Sequence, residues 1–471
     1  MYFDSALFVW FFGAVLFLNW SLRRFPMARV LWLLLASYAF YAAWNPKLLS
    51  LIVLSTVVDF YVGRRVYEAV DRASKKRWLV TSLVTNLGLL GVFKYGSFVR
   101  NSLQSVLDAA GAGAELPLID LVLPVGISFY TFQTLSYTID IYRGHLKPVR
   151  SITHFALFVA FFPQLVAGPI VRARDFLPQL EKMQVATASM QGMGLFLMAR
   201  GLVKKVAIAD VIAVQYVDRV FDNPELYSSL EILVALYGYS VQIYCDFSGY
   251  SDVAIGAALV LGFVLPENFR RPFASANLQD HWRRWHITLS TWLRDYLYIP
   301  LGGSRNGPVS TYWNLFLTMA LGGLWHGAAW TYVLWGSMQG LGLAVVRFMQ
   351  RRWPRKGKMP PWRFALGVFV TFHFTCFGWI FFRSPTVDDS WRMLGLLMEG
   401  STYAPNLRWQ VMLPIVLSMG IHWTPRRWVD RWSPVFASSP AVVQAFVLAV
   451  IAVMLAQLSS GDAPPFIYFQ F

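Results

Sequence analysis

The chain has 471 residues, of which 56% are hydrophobic and only 14% charged, with a mean hydropathy of +0.47. Soluble domains carry nearer ~25% charged residues to keep their surface solvated, so these figures point to an integral membrane protein and exclude disordered, collagen-like and disulfide-rich secreted classes. The net charge of +16 would suggest nucleic acid on a soluble domain. Here it fits basic loops held against an anionic cytoplasmic leaflet, with membrane lipids and no nucleic acid as partners.

A helix needs roughly 20 apolar residues to cross the hydrocarbon layer. In chain order, spans are predicted near 5–22, 29–45, 47–63, 78–99, 121–140, 190–213, 231–262, 311–346 (as two short helices), 364–382, 410–421 and 439–458. The first run, Ala6 to Trp20, lacks a basic leader and is followed by Arg23 and Arg24, so it reads as a span and not as a cleaved signal. The stretch 152–171 is interrupted by Pro163 and Pro169 and is expected to be re-entrant or interfacial. The fold expected is all-α and polytopic, a single membrane domain over 1–471 with about eleven transmembrane helices. The segments 23–29, 64–77, 141–151, 171–205, 263–309, 347–363 and 422–432 hold 34 of the 41 Lys and Arg. By the positive-inside bias they face the cytoplasm, and both chain ends face outward. The parity of spans agrees if 152–171 does not cross.

From Ser310 to Val346 there is no Asp, Glu, Lys or Arg, and His326, in Gly322-Gly323-Leu324-Trp325-His326-Gly327, is the group there that titrates near neutral pH. An ionisable residue at membrane depth is costly and marks a functional candidate; a neutral imidazole bonded between helices is the equal alternative. The glycines around it allow a bend and a close approach. His286 follows Asp280-His281-Trp282-Arg283-Arg284-Trp285. With roughly 100° per residue, Trp282, Trp285, Leu289, Trp292, Leu293 and Tyr296 form one apolar stripe, and His286 projects about 60° from its centre. This predicts an amphipathic helix at the cytoplasmic interface with His286 turned inward, where a hydrogen-bonded interior histidine is the favoured reading on position alone. In Tyr244-Cys245-Asp246-Phe247-Ser248-Gly249-Tyr250-Ser251-Asp252 the two carboxylates are six residues apart and do not share a helical face. Pairing with nearby arginines, or helix capping inside the bundle, is their favoured reading, and Gly249 would tolerate an unwound turn. Cys245 and Cys376 can build no disulfide framework or zinc cluster. His145, His154, His281, His373 and His422 receive no role.

The runs Trp282-Arg283-Arg284-Trp285-His286 and Trp292-Leu293-Arg294-Asp295-Tyr296-Leu297-Tyr298-Ile299-Pro300-Leu301-Gly302-Gly303, with Gly323-Leu324-Trp325-His326-Gly327, resemble the membrane-bound O-acyltransferase superfamily. The likeness is to its bacterial branch that acetylates polysaccharides. Phe162-Pro163-Gln164-Leu165-Val166-Ala167-Gly168-Pro169-Ile170, the Tyr244–Asp252 run, Leu265-Pro266-Glu267-Asn268-Phe269 and Pro465-Phe466-Ile467-Tyr468-Phe469-Gln470-Phe471 match the same branch. The resemblance implies a ring of tilted helices around a central tunnel, with His326 catalytic and His286 as a second histidine facing the tunnel. It implies cytoplasmic acetyl-CoA as donor substrate with no cofactor beyond it, an exported polysaccharide such as alginate as acceptor, a separate periplasmic SGNH-type acetyltransferase partner, and the bacterial inner membrane as location. The chemistry is coherent. Acetyl-CoA is cytoplasmic, exported polymer is outside, and a charged thioester cannot cross a bilayer, so moving only the acetyl group through a protein passage is economical. A histidine in that passage can serve as general base or as acyl relay. The basic segments 263–309 and 347–363 would attract the CoA phosphates. Acyl transfer from a carrier protein, as in D-alanylation of teichoic acids, and a non-enzymatic channel are the competing readings.

Overall fold

The computed structural model describes residues 3–165, 168–354, 357, 359–425, 428, 431–458, 466 and 467. Val166 and Ala167, most of the C-terminal motif from Pro465 to Phe471, and the predicted outward placement of 459–471 lie outside the described residues. Among the described residues every regular element is helical. Each predicted apolar stretch is helical over most of its length, with 121–140 helical from Ile127 onward and 311–346 divided into two helices, as expected. Among the described residues three helices are long and apolar enough to cross a membrane, by length and composition: Arg72–Ala109, Pro361–Arg383 and Ala441–Leu458. The chain forms two compact units, Met1–Thr187 with Ala257–Leu265, and Ala188–Gly256 with Pro266–Phe471.

The first unit holds α1 (Ala6–Ser21), α2 (Pro26–Ala42), α3 (Leu49–Glu68), α4 (Arg72–Leu90), α5 (Gly96–Ala109), α6 (Ile127–Tyr142), α7 (Ile152–Ala160), α8 (Phe162–Leu165) and α9 (Ala173–Lys182). Local chemistry sets several starts. Ser5 accepts from the Phe8 N–H at 3.2 Å, Pro26 occupies the first turn of α2, and Asp71 accepts from the Ser74 N–H at 2.8 Å. A π-helical turn, Gly91–Tyr95, joins α4 to α5.

A polar clamp ties α3, α4 and α6. The fully buried Asp59 carboxyl accepts from Ser82, from Asn86 Nδ2 at 2.7 Å and from Thr138 Oγ1 at 3.0 Å, while Ser55 donates to Asn86 Oδ1 at 2.6 Å. Beside it the helices pack closely, since a Cβ on Gly63 would lie 2.7 Å from the Tyr137 ring. Removing the carboxyl strands several buried donors, each costing about 1–3 kcal/mol. Asp59→Leu should therefore lower the thermal midpoint of the detergent-purified protein far more than Asp59→Asn, which keeps a hydrogen-bonding oxygen. Thermal unfolding followed by size-exclusion profile measures the difference, and equal midpoints would remove the clamp from the stability account.

The 152–171 stretch is interrupted, as the prolines required. Nine residues of α7 rise roughly 13 Å at about 1.5 Å each, too short to cross alone. Phe155 to Leu165 are buried in the unit, with Phe162 in contact with the rings of Phe11, Phe12 and Phe40 at 5.3–6.3 Å.

The second unit holds α10 (Ala188–Leu202), α11 (Asp218–Asp222), α12 (Ser229–Val260), α13 (Leu278–Trp282), α14 (Ile287–Leu293), α15 (Gly307–His326), α16 (Trp330–Arg352), α17 (Pro361–Arg383), α18 (Val387–Met398), α19 (Trp409–Trp423) and two further helices, Trp432–Ser438 and Ala441–Leu458. α15 and α16 pack backbone against backbone through Gly323, Gly336 and Gly340. A Cβ on Gly336 would sit 2.4 Å from the Met319 carbonyl oxygen and 2.8 Å from Gly323 Cα. α12 runs unbroken through Gly249, so no unwound turn forms there. Gly249 instead admits the backbone of α10, with the Gly201 carbonyl oxygen 2.7 Å from a Cβ position. The α12 carboxylates take separate basic partners, of which only Arg200 is one of the arginines expected and the others are lysines. Asp252 pairs with Arg200 and Lys204, each at 2.7 Å, and Asp246 with Lys205 at 2.9 Å. The Asp246 carboxylate also accepts from the Ile467 N–H at 2.9 Å.

Candidate active site

α15 ends at His326, and α16 begins after a three-residue bend. The bend is tight because Gly327 has no side chain; a Cβ there would overlap the Tyr332 ring at 2.1 Å. His326 is 4% exposed. Its ring lies 5.0 Å from Trp325, 5.2 Å from Trp335 in a perpendicular contact, and 5.5 Å from Phe382. Trp379 stacks on Trp335 at 6.1 Å, and Tyr239 meets Trp379 edge-on at 6.1 Å. The enclosure is therefore mostly aromatic, but it carries polar atoms. Among the described residues, the buried indole nitrogens of Trp335 and Trp379 and the Tyr239 hydroxyl find no hydrogen-bond partner. Buried donors of this kind are ordinarily satisfied, so they suit the oxygens of a bound molecule.

The structure brings His286 to the same place, with ring centroids 6.4 Å from His326. The expected route is corrected. There is no single amphipathic helix across 282–296. α13 stops at Trp282, α14 starts at Ile287, and His286 between them adopts a left-handed backbone with φ 41° and ψ 56°. A non-glycine residue in that region is uncommon and is held by its surroundings. The aromatic stripe also packs against protein and not against lipid. Trp285, Leu289, Trp292, Leu293 and Tyr296 are buried in protein. The same periodicity serves a core-facing helix, and only tertiary contacts separate the two. His286 does point inward, fully buried, with the Phe247 ring edge at 4.7 Å.

Asn268 was not singled out as a site residue. It is 1% exposed, and its side-chain oxygen lies 3.2 Å from His286 Nδ1. Burial, and secondarily the His326 ring, push the His286 imidazolium well below its ordinary pKa, which favours the neutral ring.

The remaining histidines of this unit have local bonds. His281 Nδ1 lies 3.3 Å from the Pro272 carbonyl oxygen, His422 Nε2 accepts from the Phe273 N–H at 3.2 Å, and His373 bonds Tyr237 at 2.8 Å. Much of the positive charge in 263–309 is engaged internally: Arg270 with Glu267, Arg271 with the His422 carbonyl, Arg284 with Asp280, and Arg294 with Asp295. Among the described residues no group of His, Cys, Asp and Glu could hold a metal ion.

Two buried imidazoles beside unfilled hydrogen-bond donors can hold a hydroxyl and take its proton. The membrane-bound O-acyltransferase family profile matches residues 145–382, which contain both histidines. The chain is 41% identical to the probable alginate O-acetylase AlgI of Pseudomonas aeruginosa, over 86% of this chain and 76% of the relative. It is 38% identical to the peptidoglycan O-acetyltransferase of Helicobacter pylori, over 83% and 79%. With the teichoic acid D-alanyltransferase of Bacillus subtilis it shares 31% identity over 56% of this chain and 70% of the relative. A helical membrane protein with this span of similarity is an acyltransferase, and the chain belongs to the membrane-bound O-acyltransferase family.

Proposed function

We propose that the protein transfers acetyl groups from cytoplasmic acetyl-CoA through the bacterial inner membrane for O-acetylation of an exported polysaccharide, alginate or a similar exopolysaccharide. His326 takes the proton of the acceptor hydroxyl. The oxygen attacks the thioester carbonyl, the C–O bond forms, the C–S bond breaks, and the leaving thiolate recovers the proton from the imidazolium. The observation that carries this reading is the buried His326–His286 pair, 6.4 Å apart. The Trp335 and Trp379 N–H groups suit the carbonyl oxygen as it gains negative charge. The alginate and peptidoglycan relatives resemble this chain over most of its length, which favours an acetyl over a D-alanyl donor.

On this reading about eleven helices ring a tunnel that joins a cytoplasmic donor side to an outer acceptor side. A periplasmic SGNH-type partner completes transfer onto the sugar. Arg283 and the basic residues near α16's end draw the CoA phosphates, since Arg270, Arg284 and Arg294 are already ion-paired. Vesicles of known orientation holding the purified protein test it. Labelled acetyl-CoA should be bound and turned over from the face bearing 64–77 and 347–363. Turnover from the opposite face alone would overturn the topology, and no turnover from either face would overturn the donor.

A further inference from the structure

The Asn268 side chain meets four groups. Its oxygen accepts from the Thr288 N–H at 3.3 Å and from Thr288 Oγ1 at 2.9 Å, and lies 3.2 Å from His286 Nδ1. Its nitrogen donates to Ser251 Oγ at 3.2 Å. A backbone N–H can only donate, so the atom facing Thr288 is the amide oxygen and not the amide nitrogen. The imidazole nitrogen facing the same oxygen must then carry hydrogen.

The backbone around Asn268 fixes the geometry. Its carbonyl accepts from the Ile287 N–H at 2.9 Å, and the neighbouring Arg270 N–H donates to the Arg284 carbonyl at 2.8 Å. These two bonds brace the left-handed turn at His286 from both sides. Around the imidazole stand Phe247, Phe269 and Trp325, with His326 as the titratable neighbour acting on it.

We infer that Asn268 is a positioning residue that fixes His286 in its Nδ1–H tautomer and thereby makes Nε2 the hydrogen-bond acceptor His286 presents to the reaction. This rests on the proposed part of His286 in acyl transfer. It carries a consequence for specificity. A group that meets Nε2 must offer it a hydrogen, as a hydroxyl does and an ether or carbonyl oxygen does not. The logic is that of any buried histidine whose second nitrogen is set by its partner.

The test uses the full-length purified protein and labelled acetyl-CoA, with Asn268→Asp, Asn268→Leu and His286→Ala. Asn268→Asp keeps the accepting oxygen, so the tautomer is retained, and the added carboxylate favours the imidazolium. The acid limb of the rate–pH profile should move to higher pH by about 1–3 units. Asn268→Leu should lower kcat by about 10–100-fold with KM for acetyl-CoA unchanged. In 15N-histidine-labelled protein, the resonance lost in His286→Ala should show Nδ1–H in the wild type and a tautomer mixture in Asn268→Leu. That readout stands even where a variant loses activity.

An unmoved acid limb in Asn268→Asp while His286→Ala is inactive would overturn the coupling. An Nε2–H resonance for wild-type His286 would overturn the tautomer assignment. Wild-type turnover in His286→Ala would instead overturn the part given to His286.

Discussion

His326→Asn is expected to lose acetyl transfer by about 10²–10⁴-fold, the range that general base catalysis contributes, while the protein stays folded and membrane-inserted. That loss corresponds to about 3–5 kcal/mol of transition-state stabilisation. Asparagine keeps a hydrogen-bonding amide of similar reach in the enclosure of Trp325, Trp335 and Phe382, but it cannot accept a proton. It therefore separates chemistry from packing better than alanine does. The measurement is initial-rate turnover of labelled acetyl-CoA at matched protein abundance and unchanged size-exclusion profile. Near wild-type turnover would make His326 a structural histidine and move the assignment to His286 or to the partner protein.

Gly336→Ala should have the largest effect on the fold for the smallest change of side chain. Its new Cβ would meet the Met319 carbonyl at 2.4 Å and the Gly323 backbone at 2.8–3.0 Å. Backbone atoms cannot swing aside, so α15 and α16 must part. His326 ends α15 and Trp335 sits in the first turns of α16, so the parting shifts the two rings relative to each other. A misplacement of about 1 Å can cost roughly 10²-fold in rate. Gly395→Ala is the matched control, because nothing lies within 4 Å of its Cβ position in α18. There alanine should stabilise by about 0.5–1 kcal/mol through helix propensity. Thermal unfolding and turnover of both variants decide the matter. Equal behaviour would show that the α15–α16 contact tolerates a methyl group.

The sequence made the hairpin around Gly327 legible because three signals coincide there: an uncharged stretch, a glycine cluster and one histidine. The paired carboxylates of α12 were legible in kind, since six residues on a helix turn them to different neighbours. The turn at His286 was not. A left-handed non-glycine residue leaves no mark in composition or periodicity, and the aromatic stripe beside it continues as though the helix did. Asn268 was hidden for a different reason. Its partners Ser251 and His286 are 17 and 18 residues away on either side, so only tertiary structure makes it a ligand of the imidazole. Gly249 looked like a hinge because a glycine's freedom and a glycine's small size look alike in sequence.

The Asp59 clamp bears on how the protein is made. Two of its donors, Ser82 and Asn86, come from the helix synthesised directly after Asp59, and the third, Thr138, arrives only with α6. A carboxyl entering lipid alone is costly. Inserted as an α3–α4 hairpin, Asp59 enters with hydroxyl and amide partners already beside it, and α6 later completes the set. On the proposed topology, a polar side chain on α3 is thus shielded by the next helix in the chain as the two enter the membrane.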